Sequence, residues 1–306
     1  MATRTTQLLV IDPQNDFCDL PASHCPAGRA PSLPVAGAHA DMQRLAAFIR
    51  AQGGQIDAIT VTLDSHQSFD IAHPGFWQTG AEAEVAPFTP ITAAQVRAGT
   101  FTPRDAAALP RTLAYLDALE AQGRYTLMVW PVHCEIGSWG HGIHTDVLAA
   151  CGDWQLQRQR AVRNVFKGTN PWTEHYSAIE AEVPDAADES TALNTALLRQ
   201  LGQADVLLIA GEASSHCVRS TTEHIVQHLP RLLPLPFGFT AIFFHLFEQS
   251  RCAGGVLGVA GTLKREACLL VALIASQGVL TDYVDERDLA RKSAALYREF
   301  VRGNEP

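Results

Sequence analysis

The sequence has no paired-cysteine spacing. Its seven cysteines, at positions 18, 25, 134, 151, 217, 252 and 268, include no CxxC pair, and their odd number fits no closed disulfide framework. A reducing compartment is expected, and with it a cytoplasmic location. Positive charge is also scarce. There are 23 Lys and Arg against 32 Asp and Glu, a net charge of −9 with no basic run, which argues against a nucleic-acid partner. Long apolar runs are missing too. The longest uncharged stretch, residues 232–247, has 16 residues and contains Pro234, Pro236 and His245, so it is read as core rather than as a membrane span. The opening MATRTTQLLVID lacks the extended apolar region of a signal peptide. The Gly-rich segment AGGVLGVAG contains neither GxGxxG nor GxxxxGK, so no phosphate loop is expected there.

What is present is enough for a large core: 306 residues, 47% hydrophobic and 18% charged. The most informative stretch is residues 204–229, ADVLLIAGEASSHCVRSTTEHIVQHL. A short β-branched run ends at Gly211 and reads as a strand buried on both faces. Val218, Thr221, Thr222, Ile225, Val226 and Leu229 then recur at three- and four-residue intervals, which predicts a helix starting near Ser215 or Cys217. Cys217 therefore falls at a strand-to-helix elbow. There, the positive end of a helix favours a thiolate and the oxyanion beside it. A free cysteine that is merely a small buried hydrophobe is the competing explanation.

The rest of the chain repeats a pattern in which apolar runs end at residues able to do chemistry. QLLVI ends at Asp12 in DPQNDF; Asp16 reads as a residue that ties down the following loop. IDAITVTL ends at Asp64 in DSHQSFDIAHPGFW, where Asp64 and His66 point to one side of extended chain and His73 follows in a loop. YTLMVW, residues 125–130, reads as a third strand ending near His133, with Cys134, His141 and His144 as further candidates. Residues 161–166 form another strand leading to Lys167 in FKGTNPWTEHYSAI. Carboxylate and imidazole ligands suit zinc, iron or manganese, but Asp64 and His66 alone are too few for a site. His24, Cys18 and Cys25 lie in a Pro-rich loop and read as loop residues rather than a metal clip. Between these runs lie amphipathic helices at 42–49, 106–122, 143–150 and 286–300, with a last strand at 278–284. The alternation predicts an α/β fold, a mostly parallel sheet with helices on both faces. A single domain over residues 1–306 is expected, with an insertion or cap at about 78–125 and an atypical segment at about 232–270.

The ordered series DPQNDF, LDSH, WPVHC, FKGTNPWTEHYSAI and GEASSHCV resembles the nicotinamidase and isochorismatase-like family of cysteine hydrolases over most of residues 6–230. That resemblance implies a Rossmann-like three-layer α/β/α fold and a catalytic triad of Asp12, Lys167 and Cys217. It implies a divalent metal, zinc before iron or manganese, held by Asp64, His66 and His133 with His73 as a possible fourth ligand. It further implies an oxyanion hole from the N–H groups of Ala213 and Cys217 and a non-proline cis peptide between Glu212 and Ala213. Phe17, Trp77 and Tyr176 are the candidates for stacking on an aromatic substrate. The implied activity is hydrolysis of nicotinamide or a related carboxamide, a step of NAD salvage, in a homo-oligomer. The alternatives are a metal-free carbamoyl or ureido amidohydrolase and, from another class, a non-catalytic metal- or ligand-binding pseudoenzyme.

Overall fold

The computed structural model describes residues 5–229 and, as backbone strands alone, residues 240–244 and 269–273. The expected core at 232–247, strand at 278–284 and helix at 286–300 lie at least in part outside the described residues.

Alternation of side chains explains the architecture. In strand β1 (Thr6–Ile11) Leu8 and Val10 face one cluster of buried residues while Leu9 and Ile11 face another. A strand buried on both faces must be covered by two layers, and each of these fully buried side chains contributes roughly 1.5–3 kcal/mol. β1 pairs in parallel with β2 (Ala58–Asp64) on one side and with β8 (Val206–Gly211) on the other. β2 in turn pairs with β7 (Arg163–Lys167), and β8 with β9 (Thr240–Phe244). β10 (Leu269–Leu273) adds an antiparallel edge, giving the order β10-β9-β8-β1-β2-β7.

Helices α1 (Ala38–Gln52) and α4 (Thr145–Arg158) cover the face reached by Leu8 and Val10, with Met42, Leu45, Ala46, Ile49, Val147 and Trp154 buried. Helices α5 (Thr195–Leu201) and α6 (Arg219–His228) cover the other face through Leu197, Leu201 and Ile225. The result is the expected three-layer α/β arrangement.

The segment after β2 builds a third cluster of its own. β3 (Trp77–Thr79) pairs with β5 (Phe101–Pro103), and β4 (Thr89–Ile91) with β6 (Leu127–Val129), both antiparallel. Between them lie α2 (Ala93–Arg97), closed by a capping box from Thr92 and Gln95, and α3 (Leu109–Gln122). The expected third strand of the main sheet is corrected here. Only residues 127–129 are extended, and their ladder is taken by Thr89–Ile91, so β6 lies outside the six-stranded sheet.

Candidate functional site

The chain runs outward from β1 through β2 to β7, then returns to place β8 on the other side of β1. That reversal makes a topological switch point between β1 and β8, where the carboxyl ends of parallel strands open a crevice. Asp12 follows β1 and Cys217 follows β8, so both border it. Asp64 and Lys167 end the neighbouring strands and are direct cross-strand partners in register. Residues more than 200 positions apart thus converge because their strands are neighbours.

Two glycines permit the approach. Gly211, at φ +135°, lies so close to the Ile11 carbonyl that a Cβ would overlap it. Gly168, at φ +78°, turns the chain directly after Lys167, and a Cβ there would sit 3.1 Å from Asp64 Oδ1.

Lys167 is the hub. Its ammonium lies 3.0 Å from Asp12 Oδ2 and donates to Asp64 Oδ1 at 2.9 Å, to the His175 carbonyl at 3.0 Å and to Cys217 Sγ at 3.6 Å. Burial works against this charge, yet Asp12 and Asp64 hold the lysine pKa well above its ordinary value. Burial also opposes the Asp64 charge, and Lys167 and His66 hold that carboxyl well below the usual range.

Asp12 behaves differently: burial raises its pKa by more than Lys167 lowers it. Thr62 Oγ1 donates to Asp12 Oδ1 at 2.6 Å and accepts from the Asp12 N–H at 3.1 Å, which fixes the carboxylate. Burial, only partly offset by Lys167 and reinforced by the Asp12 charge, pushes the Cys217 thiol well above its ordinary value. Burial thus favours the thiol form, and the Asp12 carboxylate beside it is of raised basicity. The elbow geometry differs from the expected one. Residues Ser214–Val218 form a π-helical turn in which the Val218 N–H reaches the Ala213 carbonyl at 3.2 Å, and α6 begins only at Arg219. The peptide between Glu212 and Ala213 is cis.

On the other side of Lys167 three imidazoles gather. Single nitrogen atoms of His66, His73 and His133 all lie within 4.8 Å of one another, and the three side chains are buried. Asp64 Oδ2 is 3.1 Å from His66 Nε2 and 3.4 Å from His133 Nε2. The other nitrogens of two rings are anchored: His66 Nδ1 lies 2.9 Å from Asp70 Oδ2, and His133 Nδ1 2.8 Å from the Pro131 carbonyl. A metal-ligating histidine is held in this way, its second nitrogen fixing ring and tautomer.

Burial and the neighbouring imidazoles push the His73 pKa down to about 2, so this ring is neutral and keeps a lone pair. Its Nδ1 is buried without a hydrogen-bond partner among the described residues. Three imidazoles and a carboxylate, buried and converging, fit a divalent cation. A surface cavity lined by Arg29, Val132 and Trp139 also has His133 in its wall.

The stacking candidates separate. Phe17 is buried with its ring 5.4 Å from His133 in an edge contact, on the imidazole side. Tyr176 is buried in the cluster that contains Cys217, on the sulfur side. Trp77 is not brought to either. Its indole N–H donates to the Ile71 carbonyl at 2.7 Å and its ring is fully buried in the third cluster, built by the segment after β2.

The aromatic residue that does border the sulfur side is Trp130, which sequence reasoning treated as a strand residue. Its Nε1 donates to the Tyr176 hydroxyl at 3.2 Å, and its ring meets His216, the neighbour of Cys217, at 5.2 Å. Gln14 and Asp70 were also missed. The Gln14 amide brackets Asp64, accepting from its N–H at 2.7 Å and donating to its carbonyl at 2.8 Å. The signals were an amide inside DPQND and an acid four residues after His66.

Other candidates take supporting places. Asp16 accepts from the Cys134 and Ser32 N–H groups and ties two loops together, as expected. Cys134 and Cys18 are buried. His141 lies 2.9 Å from Ser65 Oγ, and His144 is 2.8 Å from His39, outside the imidazole cluster. Among the described residues no helix is long and apolar enough to cross a membrane.

No protein-family model matches the chain, and no curated protein matches it. Solved structures do. A yeast nicotinamidase bound to the inhibitor nicotinaldehyde is 19% identical, with 73% of this chain and 82% of that chain covered at a TM-score of 0.47. A nicotinamidase/pyrazinamidase of Acinetobacter baumanii is 20% identical over 74% and 79%, TM-score 0.45. A pyrazinamidase of Pyrococcus horikoshii in complex with zinc is 18% identical over 73% and 79%, TM-score 0.41.

Proposed function

We propose that this protein is a metal-assisted cysteine amidohydrolase that converts nicotinamide or a related carboxamide to the acid and ammonia. The observation that carries the reading is the position of Lys167, whose single buried ammonium touches Asp12, Asp64 and Cys217 at once. A lysine so placed joins a nucleophile with its base on one side to a carboxylate among imidazoles on the other.

In this reading Asp12 takes the Cys217 proton and the sulfur attacks the carboxamide carbon. The N–H groups of Ala213 and Cys217 receive the oxyanion. As the tetrahedral adduct collapses, the C–N bond breaks and Asp12 returns the proton to the departing ammonia. Water then attacks the thioester, with Asp12 again as base, and the acid leaves as the thiol re-forms. Lys167 keeps both carboxylates and the developing thiolate in register and balances their charge. Trp130, Tyr176 and His216 provide an aromatic wall beside the sulfur, suited to a planar acyl group. Asp64, His66, His73 and His133 would hold the cation, zinc before iron or manganese; when bound, it supplies a Lewis acid that orients a ring nitrogen or water.

The test is ammonia release from nicotinamide and from carbamoyl and ureido compounds, each with and without chelator. Release from nicotinamide that chelator abolishes is expected. Chelator-insensitive release confined to carbamoyl or ureido compounds would overturn the metal and substrate assignment. No release from any amide, with metal still bound, would move the chain to a non-catalytic binding role.

A further inference from the structure

Arg124 lies in the turn between α3 and β6, away from the reacting groups, and gathers an unusual set of partners. Its Nη2 donates to Glu223 Oε2 at 2.9 Å, and its Nη1 lies 3.0 Å from His224 Nε2 and 3.4 Å from Glu182 Oε2. The guanidinium carbon lies 5.5 Å from the Tyr125 ring centroid. Tyr125 in turn places its hydroxyl 2.6 Å from Ser220 Oγ and its ring 4.7 Å from Tyr176.

Ser220, Glu223 and His224 all belong to α6, the helix that directly continues the Cys217 turn. Glu182 lies in the long loop that follows Lys167. Its N–H donates to the Glu174 carbonyl at 2.9 Å, and the next carbonyl along, that of His175, accepts from Lys167. One planar guanidinium with several donors in a fixed fork therefore spans the helix behind the nucleophile and the loop that holds the lysine.

We propose that Arg124, with Tyr125 beside it, is a positioning residue that sets the distance between Cys217 and Lys167 by clamping α6 to the Lys167 loop. The kinetic part of the proposal rests on the amidohydrolase reading; the structural part does not. The competing role is simpler. The Glu182 side chain is fully buried and burial pushes its pKa up to about 7, so Arg124 would serve only as its counter-ion.

The two roles separate in a pair of variants. Arg124→Gln should lower kcat for nicotinamide roughly tenfold to a hundredfold, as small misplacements of reacting groups do, with KM nearly unchanged. It should also lower the thermal midpoint and speed backbone hydrogen exchange in the peptide covering residues 212–229. Adding Glu182→Gln removes the buried charge. The double variant should then regain the thermal midpoint while kcat stays low and exchange in 212–229 stays fast. Recovery of kcat and slow exchange together with the midpoint would overturn the proposal in favour of the counter-ion role, as would wild-type kcat in Arg124→Gln. Should wild-type protein hydrolyse no amide, the exchange measurement still decides the clamp by itself.

Discussion

At the scale of single residues, Asp12 has to satisfy two conditions that pull in opposite directions. It must be ionised to accept the Cys217 proton, and basic enough to take it from a thiol that burial holds protonated. Complete burial beside Lys167 meets both, since burial raises the carboxyl pKa and the ammonium keeps the anion tolerable. Activity then falls as pH drops through the raised Asp12 value, so the acid limb of kcat/KM should lie above the ordinary carboxylate value of 3.8. Asp12→Asn should remove that limb and cost about 10²–10⁴ in kcat. An acid limb that persists unchanged in Asp12→Asn would assign it to another group. Asp12, Lys167 and Cys217 stood out in the sequence as residues at or just beyond the ends of apolar runs, while their grouping as a triad came only from the family resemblance. Gln14, Thr62, Asp70 and Trp130 did not stand out, since their roles come from partners fixed only by the fold. The Gln14 amide, for example, brackets a backbone segment 50 residues away.

At the scale of elements, periodicity located most helices and strands but not their ends or their partners. The helix expected at 143–150 continues to Arg158, because Cys151 and Trp154 prolong the buried stripe. Its start is set by a residue that the sequence offered as a metal candidate. His144 caps α4, its Nδ1 accepting from the Asp146 N–H at 3.2 Å, while its Nε2 faces His39 Nδ1 at 2.8 Å. A cap of this kind needs a neutral ring, and burial with the His39 neighbour lowers the His144 pKa to about 4. His144→Ala should therefore destabilise the protein by about 1 kcal/mol near pH 7, with His144→Asn keeping most of the cap. The unfolded-state imidazole titrates near 6.5, so the contribution is complete above that pH and is lost progressively as pH falls toward 4. Thermal midpoints of wild type and His144→Ala should converge over that window. A constant gap would mean that packing, not the cap, is what the alanine removes. The π-helical turn at Cys217 and the capture of residues 127–129 by Thr89–Ile91 had no signal of this kind. Both depend on which neighbour supplies the hydrogen-bond partner, and a 3.6- or 2-residue period carries no such information.

At the scale of the whole molecule, the imidazole cluster joins three stretches with separate surroundings: the carboxyl end of β2, the loop that carries His73 and the segment after β6. The residue pattern placed Asp64 and His66 on one side of a chain, and only the family resemblance added His133 and His73. The third and fourth donors arrive only when residues 73 and 133 fold onto β2. A cation bound by such a set stabilises the folded chain, because the unfolded chain presents no assembled site. At a free metal concentration 100 times Kd the gain is about 2.7 kcal/mol. For a chain of 306 residues that corresponds to an upward shift in thermal midpoint of roughly 4 °C. Titrating zinc into chelator-treated protein should produce that shift, and His73→Ala, His66→Ala or His133→Ala should each shrink it. His144→Ala should leave it whole, since that ring serves α4 rather than the cluster. Comparing each variant with its own metal-free form separates the binding effect from any cavity the substitution leaves. An equal zinc shift in wild type and in all three cluster variants would place the cation elsewhere and leave Asp64 with Lys167 as its principal partner.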